Sequence, residues 1–268
     1  MSQKGGVGKS SLTNSVVLDW CFKELLRTKQ MPKILLIDAD AQASISNLRE
    51  NDFELCKLDQ QGKHFQALDA GMQAAVKEMK TQFAALHQSK GWNCYDIFSI
   101  KVSDDGTQMQ QALKIIESEK YDYIFIDMPG TLHQKNTAEL FMCINYLIIP
   151  TVISNYGVQS TLDFCELLLN PEMQKASAIK EMRLLFNMYE IIKTSKFDEV
   201  ERELTVATKI PFFKTRVKDS SFFPSKNYNS LVPPTYRINL NTGELTTTPK
   251  VTNIGELTDE LRKLVSEK

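Results

Sequence analysis

Three short runs along the chain are apolar on both faces instead of alternating with polar residues: Lys33-Ile34-Leu35-Leu36-Ile37, Tyr121-Asp122-Tyr123-Ile124-Phe125-Ile126 and Tyr146-Leu147-Ile148-Ile149. A strand that never shows a polar face is covered on both sides, as in the middle of a parallel sheet. Weaker strand patterns fall at 95–102, 182–186 and 207–213, and helical patterns fill the intervals. Over residues 10–27, Leu12, Val16, Val17, Trp20, Cys21 and Leu25 recur at three- and four-residue spacing, which builds one helix face. Alternating strands and helices predict an α/β fold, a mostly parallel twisted sheet with helices on both faces.

Two segments stand outside that alternation. Phe65, Leu68, Met72, Val76, Met79, Phe83 and Leu86 predict one long amphipathic helix within an inserted or peripheral segment, 52–95, with its stripe packed on the domain surface. Residues 235–240 and 244–248 flank Asn241-Thr242-Gly243 and predict a small β-hairpin appendage within 232–250. Ile254, Leu257, Leu261, Leu264 and Val265 then mark a last helix over 253–266. Its charges are mixed and it has no aromatic anchor, so docking onto the domain is expected over lying on a membrane. The whole chain, 1–268, is expected to be a single domain.

Composition narrows the class. Lys and Arg number 32 against 33 Asp and Glu, so no whole-chain attraction pulls the protein onto nucleic acid or anionic lipid. Five scattered cysteines without a C-x-x-C pair fit neither a disulfide framework nor a thiolate metal site and predict reduced thiols in a cytoplasmic protein. No apolar stretch approaches the roughly 20 residues needed to span a bilayer, and the amino end has no signal-peptide pattern.

The most informative stretch is Lys4-Gly5-Gly6-Val7-Gly8-Lys9-Ser10, which opens directly into the first helical pattern. Glycines allow successive N–H groups to turn inward on one anion, and the helix adds its positive amino end. Lys9 is placed to reach β/γ-phosphates, and the Ser10 hydroxyl to ligate Mg2+. The residues form a cradle for a nucleoside triphosphate, with Gly5, Gly6, Val7, Gly8, Lys9, Ser10 and Ser11 as its binding residues. The ordinary P-loop spacing fails, because Gln3 stands where its first glycine belongs. The loop resembles instead the deviant Walker A loop of ParA/MinD-type P-loop ATPases, x-K-G-G-x-G-K-[ST]. In that family two monomers enclose two ATP molecules, and an extra lysine, here Lys4, crosses to the partner's nucleotide.

The resemblance extends to two aspartate-ended strands and covers most of residues 3–50 and 115–216. Leu35-Leu36-Ile37-Asp38-Ala39-Asp40-Ala41-Gln42 resembles the family's D-x-D-x-Q motif, which implies that Asp40 positions the attacking water and Asp38 supports the Mg2+ shell. Ile124-Phe125-Ile126-Asp127-Met128-Pro129-Gly130 resembles the Walker B strand, so Asp127 is the Mg2+ residue and Gly130 lends an N–H to the γ-phosphate. Asn187 resembles the family's adenine-reading asparagine, and Pro211 the proline of an I-P strand end beside the base; Phe212 stands where an arginine commonly follows. Family members carry an apolar strand into the loop, but only Met1, Ser2 and Gln3 precede Lys4. An unfilled central slot would leave ladder groups unpaired on both neighbours, so the expectation is a missing amino-terminal segment and a destabilised chain.

The resemblance implies ATP and Mg2+ as cofactors, a homodimer formed on ATP binding, and slow hydrolysis that drives partition or positioning of DNA or protein cargo. An activating or adaptor protein of ParB type is the expected partner. Lys209, Lys214, Arg216 and Lys218 offer a candidate nonspecific DNA patch or a solvated face. Alternatives are a MinD-like membrane-cycling regulator, disfavoured by the last helix, and a metabolic ATP-dependent enzyme on the same scaffold. Iron–sulfur relatives need paired cysteines absent here, and an amidoligase would lack Lys4.

Overall fold

The computed structural model describes residues 8–40, 42–100, 106–118, 120–129, 137–190, 194–248 and 252–266. In chain order, α1 (Lys9–Thr28) leads to β1 (Ile34–Asp38), then α2 (Ser44–Lys57), the short α3 (Lys63–Gln66), α4 (Ala70–Lys90) and β2 (Asp96–Ser99). Next come α5 (Thr107–Glu117), β3 (Tyr123–Asp127), α6 (Thr137–Met142), β4 (Tyr146–Thr151), α7 (Asn155–Leu168), α8 (Pro171–Ala176) and β5 (Glu181–Phe186). The chain continues through α9 (Thr194–Thr208), β6 (Tyr236–Ile238), β7 (Leu245–Thr247) and α10 (Ile254–Ser266).

The apolar runs form the expected parallel strands. β1 lies between β2 and β3, and β4 pairs with β5, all parallel. Because side chains alternate along a strand, each run feeds two cores. Ile34 and Leu36 join α1, α4 and α10 on one face, while Leu35 and Ile37 join α5, α6, α7 and α9 on the other. Helices thus cover both faces, which is why the strands show no polar side.

The helices end where local chemistry stops them. Gly8 enters α1 at φ 72°, and Lys29 leaves it at φ 61° with its N–H on the Leu25 carbonyl. The helix expected over 65–86 is broken: Phe65 belongs to α3, and Asp69 starts α4 by accepting the Met72 N–H at 2.9 Å. A side-chain cap at Asp69 overrides the continuous apolar stripe. Gln82 of α4 is buried and clasps β6, donating to the Ile238 carbonyl and accepting its N–H. The expected strand at 207–213 is also corrected, since α9 runs through Thr208 and only Phe212 bridges to Leu184. The hairpin forms as β6 and β7, antiparallel, with a longer turn than the three residues expected.

The sheet falls into two halves. Among the described residues no strand pairs with the second edge of β3 or of β4. A cavity of about 510 Å³ lies between them, lined by Val16 and Trp20 of α1, Leu257 and Leu261 of α10, and Phe125 and Ile148 of the flanking strands. Among the described residues the buried Trp20 Nε1 has no hydrogen-bond partner. A parallel strand in this space would bring its carboxyl end to Gly8, because α1 starts at the carboxyl end of β3. Unpaired ladder groups on two neighbouring strands are costly.

Candidate functional site

Parallel strands end on one side of their sheet, and here two neighbours end in acid. The register sets Asp38 of β1 directly beside Asp127 of β3, both almost fully buried. The amino end of α1 meets them. Thr13 Oγ1 donates to Asp127 Oδ1 at 3.2 Å, and the Ser10 hydroxyl also bonds that carboxylate. Lys9, the first residue of α1, borders the cavity beside β3. Thr13 is a site residue that motif reading missed; its signal was the three-residue step from Ser10, which places both hydroxyls on one helix face.

Asp38 serves two neighbours. Its Oδ2 accepts the Ile45 N–H at 3.1 Å, the Ser46 N–H at 2.8 Å and the Ser46 hydroxyl at 2.9 Å, holding the amino end of α2. Its Oδ1 and the Oδ2 of Asp127 have no hydrogen-bond partner among the described residues. Burial raises Asp38 above the usual carboxylate range, against the opposing pull of Ser46 and Ile45. Burial, foremost, pushes Asp127 up to about 6; Ser10 and Thr13 lower it, while the charges of Asp38 and Asp40 raise it. Asp40 is half-buried and holds a turn, its carboxylate accepting the Gln42 N–H at 2.9 Å and its carbonyl the Ala43 N–H at 2.8 Å.

The negative charges of Asp38 and Asp40 raise the proton affinity of Asp127, so the cluster invites a cation. Among the described residues no group of three His, Cys, Asp or Glu could hold a metal alone. One hydroxyl and two carboxylates suit a hard cation that keeps water and takes its other ligands from phosphate. Two buried oxygens without partners fit that donor set.

Gly8 is required on two counts. Its φ is positive, and a Cβ there would come within 2.9 Å of Asn187 Nδ2. Asn187 directly follows β5, is buried, and donates its N–H to the Thr151 carbonyl, so the structure brings it against the loop. Pro211 is not brought to the site. Its carbonyl accepts the Leu184 N–H, three residues short of Asn187, and Val217 is the residue that reaches the level of Phe186. Register with β5 sets this depth. Ser11 offers its carbonyl to the Tyr228 hydroxyl at 3.3 Å. Arg216 bonds Asp198 and Glu201 at 2.6 and 2.8 Å, so the basic run holds a neutralised member. Lys4, Gly5, Gly6, Val7 and Gly130 lie outside the described residues.

A family model described as AAA domain matches residues 1–182. Among solved structures, the MinD cell division protein of Aquifex aeolicus is similar, with a TM-score of 0.57 and 15% identity over 100% of this chain and 96% of that one. A putative plasmid partition protein from Borrelia burgdorferi B31 bound to AMPPNP gives 0.53 and 20%, covering 100% and 97%. Cobyrinic acid a,c-diamide synthase from Mycobacterium smegmatis, with bound ADP and magnesium, gives 0.50 and 17%, covering 100% and 94%. At these identities the likeness is one of fold. No curated protein matches in sequence.

The raised Asp127 gives a stability prediction with a definite sign. An acid whose folded pKa lies above its unfolded value of 3.8 contributes stability at low pH that is lost as pH rises through about 6. Asp127→Asn removes that cost, so the nucleotide-free variant should be more stable than the parent by about 1–3 kcal/mol at pH 7. The difference should shrink toward pH 4 in denaturant titrations. A variant less stable at pH 7 than at pH 4, relative to the parent, would contradict the assignment.

Proposed function

The chain belongs to the AAA domain family, has the fold of ParA/MinD-type P-loop ATPases, and from that premise we propose that it is a ParA-like ATPase. It binds ATP and Mg2+, dimerises, and hydrolyses the nucleotide slowly to drive partition or positioning of DNA or protein cargo. The observation that carries this reading is the convergence of Ser10, Asp38 and Asp127, with two buried carboxylate oxygens left open, at the amino end of α1.

In this reading Ser10 and Asp127 hold the Mg2+ shell and Asp38 supports it while keeping α2 in place. Bound Mg2+ supplies charge neutralisation for the phosphates. Lys9 reaches the same phosphates, and Lys4 reaches those of the partner subunit. Asp40, on the turn that leads into α2, orients the attacking water. Catalysis rests on positioning and electrostatics rather than a covalent intermediate. Gly130 contributes an N–H toward the γ-phosphate, and Asn187 lies beside the nucleotide.

An adaptor of ParB type would act on the dimer. Arg216 is taken up by Asp198 and Glu201, which leaves a nonspecific DNA surface to the lysines around it. The stripe of α10 is spent on α1, with Leu257 and Leu261 buried and Lys23 paired to Asp259 at 2.7 Å. This supports a protein that does not use that helix to bind membrane. Among the described residues no helix is long and apolar enough to cross one.

Size-exclusion chromatography with ATP and Mg2+ tests the switch. The parent should shift to a dimer, Lys4→Ala should alter that shift, and Asp40→Ala should dimerise and persist, with phosphate release reduced at least about 100-fold. A parent that stays monomeric with saturating ATP and Mg2+ would overturn the proposal.

A further inference from the structure

Asn14 is fully buried in the second turn of α1, where an amide is a poor helix former and is costly unless its polar atoms are met. Here they are. Asn14 Nδ2 donates to the Tyr228 hydroxyl at 3.0 Å and to the Asn229 carbonyl at 3.2 Å. Its Oδ1 accepts the Tyr95 hydroxyl at 2.7 Å. The Tyr228 hydroxyl in turn donates to the Ser11 carbonyl, one turn nearer the phosphate loop. Burial pushes the Tyr228 phenol up to about 12; like any tyrosine hydroxyl it is a donor at neutral pH.

Tyr228 lies on a strap, residues 226–232, that is anchored at several points. Ser230 gives its N–H and hydroxyl to Asp52 of α2, both at 2.7 Å, and accepts from Arg49 at 3.1 Å. Trp92 Nε1 donates to the Leu231 carbonyl at 2.8 Å. Lys226 pairs with Asp69, the cap of α4. Phe222 and Phe223 pack edge-on against the Tyr228 ring. A loop held this firmly can fix what it touches, and it touches α1 beside Ser10 and Ser11.

We infer that Tyr228, through Asn14 and the Ser11 carbonyl, is a positioning residue for the first two turns of α1 and thereby sets the affinity of the nucleotide site. This deepens the ATPase reading and rests on it. The strap falls outside residues 3–50 and 115–216, over which the motifs of the family resemblance run. Mere packing would make Tyr228 matter for stability alone; positioning makes it matter for binding in a protein that is still folded.

Tyr228→Phe separates the two, because it removes one oxygen and keeps the ring. With AMPPNP and Mg2+ in isothermal calorimetry, well below Tm, its Kd should rise about three- to tenfold, and KM for ATP should rise with it while kcat stays within about twofold. Ser230→Ala, which loosens the strap on the α2 side, should raise Kd in the same direction, whereas Gln82→Ala, which releases the buried clasp between α4 and β6, should lower Tm comparably and leave Kd within about twofold. The inference is overturned if Tyr228→Phe lowers Tm but keeps the parent's Kd, or if Gln82→Ala weakens AMPPNP equally. A folded parent that takes up no AMPPNP overturns the ATPase reading and this inference together, and that outcome is visible before any variant is made.

Discussion

The architecture turns on one pairing, the parallel register that places Asp38 beside Asp127. Two carboxylates buried side by side are unfavourable for a fold that has nothing to bind. Ser46 and Ile45 on one acid, and Ser10 and Thr13 on the other, meet part of the demand. One oxygen of each remains open. A protein that keeps such a pair at the mouth of its phosphate helix carries an electrostatic debt that a cation with phosphate relieves, so the sheet, the two helix ends and the proposed chemistry are one arrangement.

The rest of the fold serves that mouth. α1 is gripped along its length: by β3 through Trp20 against Tyr123 and Phe125, by α10 through Arg262 to Glu24, and by the strap through Asn14. α2 is held at its start by Asp38 and farther along by Asp52 and Arg49. The open space between β3 and β4 lies under the same helix, bounded by Trp20. Whatever fills it would act on α1 from below as the strap acts from the side.

Much of this was legible in the sequence. Runs that are apolar on both faces marked β1, β3 and β4, and the aspartates at two of their ends fall side by side in the candidate site. Gly8, Lys9 and Ser10 stand out as candidates because glycine, lysine and hydroxyl chemistry at fixed offsets has few other uses, and the structure places them at the start of α1. What escaped was set by contacts far along the chain. Asp69 breaks a helix that periodicity alone would continue. Pro211 sits too deep because its carbonyl is fixed by pairing with Leu184. Asn14 meets Tyr228 across 214 residues, and no local pattern announces a partner at that distance. Thr13 shows the milder case, a polar residue on the right helix face that a motif does not name.

The most direct test of the central claim is calorimetric titration of the folded chain with AMPPNP, once with Mg2+ and once with EDTA. The account predicts saturable uptake that is at least about tenfold tighter with Mg2+. Uptake that ignores the metal, or none at all, would contradict the view that Asp38 and Asp127 exist to meet a cation on phosphate.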